Sequence, residues 1–430
     1  MTAAQEKTWF GQPRGLTILF LTNMWEFFSY YGMRTLLVYY MTKHLLFAQE
    51  KSSFIYGSYT AMAYFTPILG GIIADRWLGK RKAVIIGGSI MAIGHFLMAF
   101  EPLFYLALLT IALGNGLFLP SLPSQINDLY RADDPRRGRA YNIYYVGLNI
   151  GGFLAPLICG TLGELYGWHY GFGAAGVGMF AGVVIYVAGR NYLPAETLKR
   201  TISSPAAADE GRSNQGRLWL LLLGVGISAT IFRGAYEQVG NTVALWTDVG
   251  VDRALGGFVI PMTWFQALNP LLVITMTPLL LLRWRRQADA GRDTPPARKM
   301  AIGALIVAGS YLLLATVSTS VGAERASWLW LFLFFVILTL GELYILPTGL
   351  GLFARLAPPR FGATAVAAWF LAIFSGSLLA GIVGTLWSRA SHPVFFLLLA
   401  GLAFAAAISL WFLDRPIRRC ESRPVSGTVA

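Results

Sequence analysis

The sequence predicts an all-α membrane protein with twelve spanning helices, and three observations carry that prediction. Of its 430 residues, 56% are hydrophobic and 13% charged, whereas soluble domains run near a quarter charged. The apolar residues fall into twelve runs, each long enough to cross a hydrocarbon core roughly 30 Å thick. The basic residues gather in short clusters at alternate ends of those runs, the pattern that orients a multi-pass chain. The same composition excludes a soluble enzyme, a collagen-like chain and a disordered protein. In this setting the formal charge of +13 reads as membrane orientation, not as a nucleic-acid footprint.

Taken in order, the runs predict spans over 16–46, 54–74, 83–100, 103–126, 140–162 and 170–192, then 218–247, 256–282, 300–320, 328–354, 361–388 and 393–413. The first run contains Glu26 and Arg34 and lacks a small-residue cleavage site, so it reads as a retained helix and not a signal peptide. The polar stretch after the sixth run divides the chain into a first six-helix bundle (1–192), a cytoplasmic linker (193–216), a second bundle (218–413) and a cytoplasmic tail (414–430). With the N-terminus inside, 27 of the 34 Lys and Arg residues lie in cytoplasmic segments, against five outside and two within spans. Both termini are therefore expected in the cytoplasm. Cys159 lies in an apolar run and Cys420 in the tail, which makes neither a disulfide framework nor a metal site.

An internal repeat relates the two halves. Leu113, Gly114, Leu119, Pro120 and Ser121 of span 4 recur as Leu340, Gly341, Leu346, Pro347 and Thr348 of span 10, at an offset of 227 residues. Gly151, Leu154 and Ala155 of span 5 recur as Gly376, Leu379 and Ala380 of span 11, at an offset of 225. After span 2 the chain reads Gly71-Ile-Ile-Ala-Asp75-Arg76-Trp-Leu-Gly79-Lys80-Arg81. This resembles the signature loop of the major facilitator superfamily, whose parallel six-helix repeats enclose a central site. The resemblance implies a conformational latch formed by Asp75, Arg76, Gly79 and Arg81.

More specific landmarks follow along nearly the whole chain: "WEFFSYYGMR" in span 1, "GNGLFLPSLP" in span 4, "NIYYVGLNIGGFLAPLICG" in span 5 and "GWHYGFGAAGVGM" entering span 6. The second half adds "AYEQVGNTVALWTD", "WFQALNPLL" and "LGELYILPTGLGLFARLAP". Together they resemble the proton-dependent oligopeptide transporter family. The departures are equally specific. Where the family carries Glu-x-x-Glu-Arg in its first helix, this chain places Asn23, Glu26 and Phe27, and where the family carries a span 4 lysine it places Leu119. The stretch 193–216 is also too short for the two extra helices that many bacterial members insert.

Ionisable residues inside spans are costly and mark pathways or sites, and five stand out: Glu26, Arg34, Arg233, Glu237 and Glu342. The resemblance implies that Arg34 holds a peptide carboxylate, a task suited to the planar guanidinium fork. It implies that Glu342 meets the peptide amino group and that Glu237 exchanges a proton. Arg233 lies outside the family pattern but four residues before Glu237, on the same helix face. It stands in for the missing lysine or forms only a structural pair with Glu237. An acid in excess over its bases in low dielectric tends to take up a proton, which keeps Glu26, Arg233 and Glu237 as proton-coupling candidates. Tyr30, Tyr31, Tyr64, Asn149, Gln266, Asn269 and Trp369 complete the expected substrate pocket. Pro67, Pro120, Pro156, Pro270 and Pro347 are expected to bend their helices.

The leading expectation is a secondary active transporter for di- and tripeptides or peptide-like compounds, coupled to protons by symport. It would act as a monomer in the lipid bilayer of a bacterial inner membrane, without cofactor, metal or nucleic acid. The alternative keeps the fold but makes it a facilitator or exporter of a modified peptide, a siderophore-like compound or another zwitterion. A membrane-embedded enzyme would need a nucleophile with its base or a metal triad in the spans, and no such constellation is found.

Overall fold

The computed structural model describes residues 8–9, 11–130, 134–194, 212–322, 324–356 and 362–421. Most of the linker expected over 193–216 lies outside the described residues, as do the end of the expected tail and the basic residues Lys7, Arg131, Lys199, Arg200, Arg360 and Arg423.

In hydrocarbon every backbone polar group must be satisfied within its own segment, so apolar runs of this length become helices. The described residues form twelve long helices: α1 Arg14–Tyr39, α2 Gln49–Ile73, α3 Lys80–Leu97, α4 Phe104–Asp128, α5 Arg136–Ala155, α6 Trp168–Ala188, α7 Arg212–Tyr236, α8 Leu268–Asp289, α9 Pro296–Val321, α10 Trp328–Leu356, α11 Gly362–Gly384 and α12 His392–Glu421. Among the described residues, nine helical stretches are long and apolar enough to cross a membrane. Helices α1 to α3 fall outside that set because tyrosines, serines, threonines and charges dilute their apolar runs.

Several helices change geometry along their length. The ends of α1 and α2 widen into π-helical turns at Tyr40–His44 and Ala74–Leu78. Pro156 opens a third such turn, Pro156–Gly160, after which helix resumes over Thr161–Leu165. Helix α7 tightens to a 3₁₀ turn at Glu237–Gly240 and resumes over Thr242–Val249. Pro67, Pro120 and Pro347 lie inside helices, and Pro270 lies in the first turn of α8.

Several boundaries differ from the sequence reading by five residues or more, and two of them have a visible cause. Span 8, expected from residue 256, begins at Met262 with a 3₁₀ turn over Met262–Ala267. Residues 254–259 instead form a small hairpin, Ala254–Leu255 against Phe258–Val259, turning at Gly256 with φ +61°. Hydropathy alone does not separate such a turn from a helix start. At the other end α12 runs past 413 to Glu421, because Asp414 is buried there and accepts a 2.6 Å bond from Arg418. The remaining strands are also two-residue pairs, so the fold is nearly all-helical.

The chain divides into two compact units: Met1–Ala48, Met62–Ile202 and Arg253–Ile274 in the first, and Gln49–Ala61, Ser203–Asp252 and Thr275–Ala430 in the second. In the first unit, α1 packs on α5 and α6, and α3 packs on α4 and α6. Its apolar core includes Leu19, Met91, Phe118, Ile126 and Met179. At the α3–α4 crossing, a Cβ on Gly114 would lie 2.6 Å from the Gly87 carbonyl oxygen, and one on Gly87 would lie 2.7 Å from that of Gly114. A Cβ on Gly151 of α5 would lie 2.9 Å from the Phe28 nitrogen of α1. Small residues at such crossings let membrane helices approach by their backbones.

The second unit repeats both contacts. Helix α9 packs on α10 and α12, and α7 packs on α11 and α12. A Cβ on Gly341 would lie 2.6 Å from the Gly303 carbonyl oxygen, and one on Gly376 would lie 2.9 Å from the Thr230 carbonyl oxygen. The sequence repeat of Gly114 with Gly341 and of Gly151 with Gly376 is therefore a repeat of helix-crossing contacts. Outside the spans, Asp134 caps α5 through the Arg136 backbone nitrogen at 2.8 Å. The Arg136 guanidinium bonds the same carboxylate and holds it below the usual aspartate range.

Candidate functional site

In the first unit, α1 gathers Tyr30, Tyr31 and Arg34 within little more than one turn. Arg34 is buried, with its guanidinium carbon 5.7 Å from the centre of the Tyr31 ring, within cation–π range. Tyr30 and Tyr31 meet edge to face at 5.5 Å, and Phe27 stacks on Tyr31 at 5.9 Å. Gly152 of α5 leaves room beside this cluster: a Cβ there would lie 3.4 Å from Tyr31 and 3.3 Å from Pro270. One turn after the tyrosines, the Thr35 hydroxyl donates to the Gln266 side-chain oxygen at 3.4 Å. Arg34, Tyr30, Tyr31 and Gln266 are thus neighbours along one short stretch of this unit.

Asn149 is buried on α5 and donates to the Tyr145 carbonyl at 2.9 Å, so its amide is engaged with its own helix. Asn269 lies in the first turn of α8 and Tyr64 in the middle of α2, both half-buried. Glu26 is buried on α1, and its Oε2 has no hydrogen-bond partner among the described residues. A carboxylate left so would carry a large desolvation cost. Asn23, at the first altered motif position, donates to the Tyr144 carbonyl at 3.2 Å. Phe27, at the other, belongs to the aromatic cluster. The lost charges have therefore been replaced by groups with packing or hydrogen-bond roles of their own.

The loop after α2 also lies in the first unit. Gly79 adopts φ +80°, which a side chain would strain, and its nitrogen closes the turn on the Ala74 carbonyl at 2.7 Å. Arg81 donates to the carbonyls of Leu193 and Pro194, and Lys80 pairs with Asp128 at 2.6 Å. Asp75 and Arg76 are exposed, and among the described residues neither forms a hydrogen bond or ion pair. The basic residues after the turn thus tie α3 to the end of α4 and to the segment that follows α6.

In the second unit, Arg233 and Glu237 form a buried ion pair one helical turn apart on α7, with side chains 5% and 0% exposed. The aliphatic stem of Arg233 lies against Gly376, and its guanidinium sits 5.4 Å from the Tyr236 ring centre. Burying two charges is costly unless geometry compensates, and here helical spacing, a glycine gap and an aromatic face all favour the pair. Glu342 is buried in α10, five residues before Pro347. Trp369 is buried on α11, packed edge-on against Phe353 at 5.2 Å, with Gly349 beneath its ring.

A polar network at the break in α7 escaped the sequence reading. Gln238 donates to the Ala380 carbonyl at 2.8 Å and accepts from Thr242 at 2.9 Å. Asn241 accepts from Ser53 at 2.8 Å, and Gln49 donates to Ser53 at 2.6 Å and to the Gly384 carbonyl at 2.9 Å. Gln238 also donates to the Gly234 carbonyl of α7 at 3.2 Å, while the Ala380 and Gly384 carbonyls belong to α11. The Gly240-Asn241 pair within an apolar run was the available signal. Glu164 in the first unit was missed as well: its carboxylate accepts from the backbone nitrogens of Met262 at 3.0 Å and Thr263 at 2.8 Å, and from the Thr263 hydroxyl. It caps the start of the helical segment leading into α8, and Trp264 adds a 2.7 Å bond to Thr161.

Comparison with known proteins gives these charges a context. The chain is 31% identical to an uncharacterized transporter, YclF, of Bacillus subtilis, with 91% of each chain covered. It is 30% identical to a di-/tripeptide transporter of Lactococcus lactis, covering 96% of this chain and 97% of the relative. Its fold matches the crystal structure of a mutant of the peptide transporter POT in complex with alafosfalin, with a TM-score of 0.89 and 28% identity over 96% and 97% of the two chains. The model of the POT family matches residues 81–208 and 213–398, more than half the sequence. The chain accordingly belongs to the POT family, a family of multi-pass membrane transporters active in peptide transport.

Proposed function

We propose that this POT-family chain is a monomeric symporter that carries di- and tripeptides, or peptide-like compounds, together with protons. It works by alternating access in a bacterial inner membrane, with both termini in the cytoplasm. The observation that carries the reading is the burial of five ionisable residues, Glu26, Arg34, Arg233, Glu237 and Glu342, in spanning segments. Such charges are kept at a cost, and function is the usual reason. Bacterial relatives, including the di-/tripeptide transporter of Lactococcus lactis, support the substrate class.

In this reading Arg34 receives the peptide carboxylate, with Tyr30, Tyr31, Tyr64, Asn149, Gln266 and Asn269 supplying aromatic surface and amides. Glu342 takes the peptide ammonium, and Trp369 contributes aromatic surface to the substrate pocket. Protonation of Glu237 releases Arg233, and deprotonation restores the pair, so a proton carried on this carboxyl switches a buried interaction on and off. Glu26 is the second protonatable carboxyl. Asp75, Arg76, Gly79 and Arg81 act as the latch of the conformational cycle.

The test is uptake of labelled dialanine into proteoliposomes, with and without an inward proton gradient. Accumulation that requires the gradient is the expected result. The alternative, a facilitator or exporter of a modified peptide or other zwitterion, draws on the replacement of family charges by Asn23, Phe27 and Leu119. It predicts equilibration without accumulation, or no dialanine movement at all.

A further inference from the structure

The C-terminal end of α8 carries a groove that the transport reading leaves unused. It measures about 680 Å³ and is lined by Leu279, Leu282, Arg283, Arg286, Gln287, Ala290 and Arg292. Helical spacing puts Leu279, Leu282, Arg283, Arg286 and Ala290 on one face, apolar first and basic one turn later. Leu279 and Leu282 are 68% and 54% exposed, although they belong to a helix that crosses a membrane. Their solvent is lipid.

The helix end is built to bring a third arginine back onto this face. Arg292 donates its backbone N–H to the Gln287 carbonyl at 2.8 Å, and Gly291 donates to that of Ala288 at 2.9 Å. Gly291 takes φ +66°, so the end is a Schellman motif with glycine in the left-handed position. The reversal carries Arg292 onto the groove beside Arg283 and Arg286. On the inner side Trp284 packs edge-on against Tyr344 at 5.2 Å, which anchors the helix and fixes the orientation of the groove.

Among the described residues no carboxylate lines the groove. Asp293 is occupied by Lys299 at 2.8 Å, and Asp289, although close in sequence, is not among the lining residues. Among the described residues the three arginines form no ion pair or hydrogen bond through their side chains. Three guanidinium groups at the edge of the hydrocarbon layer, with exposed leucines beneath them, match a phosphate headgroup followed by acyl chains. We propose that this groove binds an anionic phospholipid, with the phosphate held by Arg283, Arg286 and Arg292 and the acyl chains lying on Leu279 and Leu282.

The test is native mass spectrometry of the full-length protein from mixed phosphatidylglycerol and phosphatidylcholine nanodiscs, taken on the monodisperse fraction. Wild type is expected to retain one phosphatidylglycerol with at least tenfold preference. The triple variant R283Q/R286Q/R292Q is expected to lose that preference, and R286Q or R292Q alone to weaken it several-fold, which keeps the test sound if the triple variant does not fold. The control R139Q/R415Q/R419Q removes equal charge from exposed arginines elsewhere and is expected to retain it. Undiminished preference in the groove variants, or equal loss in the control, would overturn the assignment; the latter would mean that net charge alone recruits the lipid.

Discussion

Arg34 owes its proposed role to the shape of its side chain as much as to its charge. Its guanidinium lies over Tyr31, where a planar cation gains from the ring and still offers a fork to a carboxylate. A lysine keeps the charge and loses the fork. We expect R34K to fold normally and to lower kcat/KM for dialanine by roughly tenfold or more, about 1.4 kcal/mol of transition-state stabilisation, read by proteoliposome uptake. E342Q is expected to raise KM for dialanine while leaving competition by N-acetylated dialanine unchanged; equal loss for both would contradict an ammonium partner. The charged candidates were legible in the sequence because an ionisable residue in an apolar run has few innocuous explanations. Gln238 and Asn241 were not. A neutral amide adds little contrast within a span, and the Gln238 partner carbonyl, that of Ala380, is 142 residues away. The tyrosines lie between these extremes, since the same side chain serves packing and binding.

Helices carry the next level of the account, and glycine sets how close they come. Gly114 and Gly341 each face a carbonyl oxygen of a crossing helix, at a distance that leaves no room for a side chain. Overpacking typically costs about 1–3 kcal/mol, and here the obstacle is backbone, which yields less readily than a side chain. G114V and G341V are expected to reduce the yield of folded protein strongly and to similar extents, measured by size-exclusion chromatography after extraction. Wild-type yield from either would contradict the repeated-crossing explanation. Glu164 acts at the same scale by capping the segment that leads into α8. E164Q removes the charge and one acceptor oxygen, and should lower stability by about 1–2 kcal/mol, read as a reduced midpoint in thermal unfolding. An unchanged midpoint would mean that the cap contributes nothing. The existence of all twelve helices was readable from hydropathy, but the start of α8 was not: Phe258, Val259 and Ile260 look like the beginning of a span while forming part of a hairpin and its exit. Tertiary pairing decided that boundary.

At the scale of the whole molecule, composition and the order of polar landmarks were enough to identify the fold and the family. What they could not supply is the internal geometry of each unit. That geometry shows Arg233 and Glu237 as a buried pair on α7, and it shows Asn23 and Phe27 doing other work where the family motif carries charge. The central claim is that a peptide transporter with a reduced first-helix motif still couples protons, through the Glu237 carboxyl paired with Arg233. The most direct measurement is dialanine-induced proton entry into proteoliposomes holding a trapped pH-sensitive dye, for wild type and E237Q, with dialanine exchange measured in parallel. The account predicts that wild type acidifies the lumen when dialanine is added outside, and that E237Q exchanges dialanine without acidification. Proton entry undiminished in E237Q, at equal rates of dialanine movement, would contradict it.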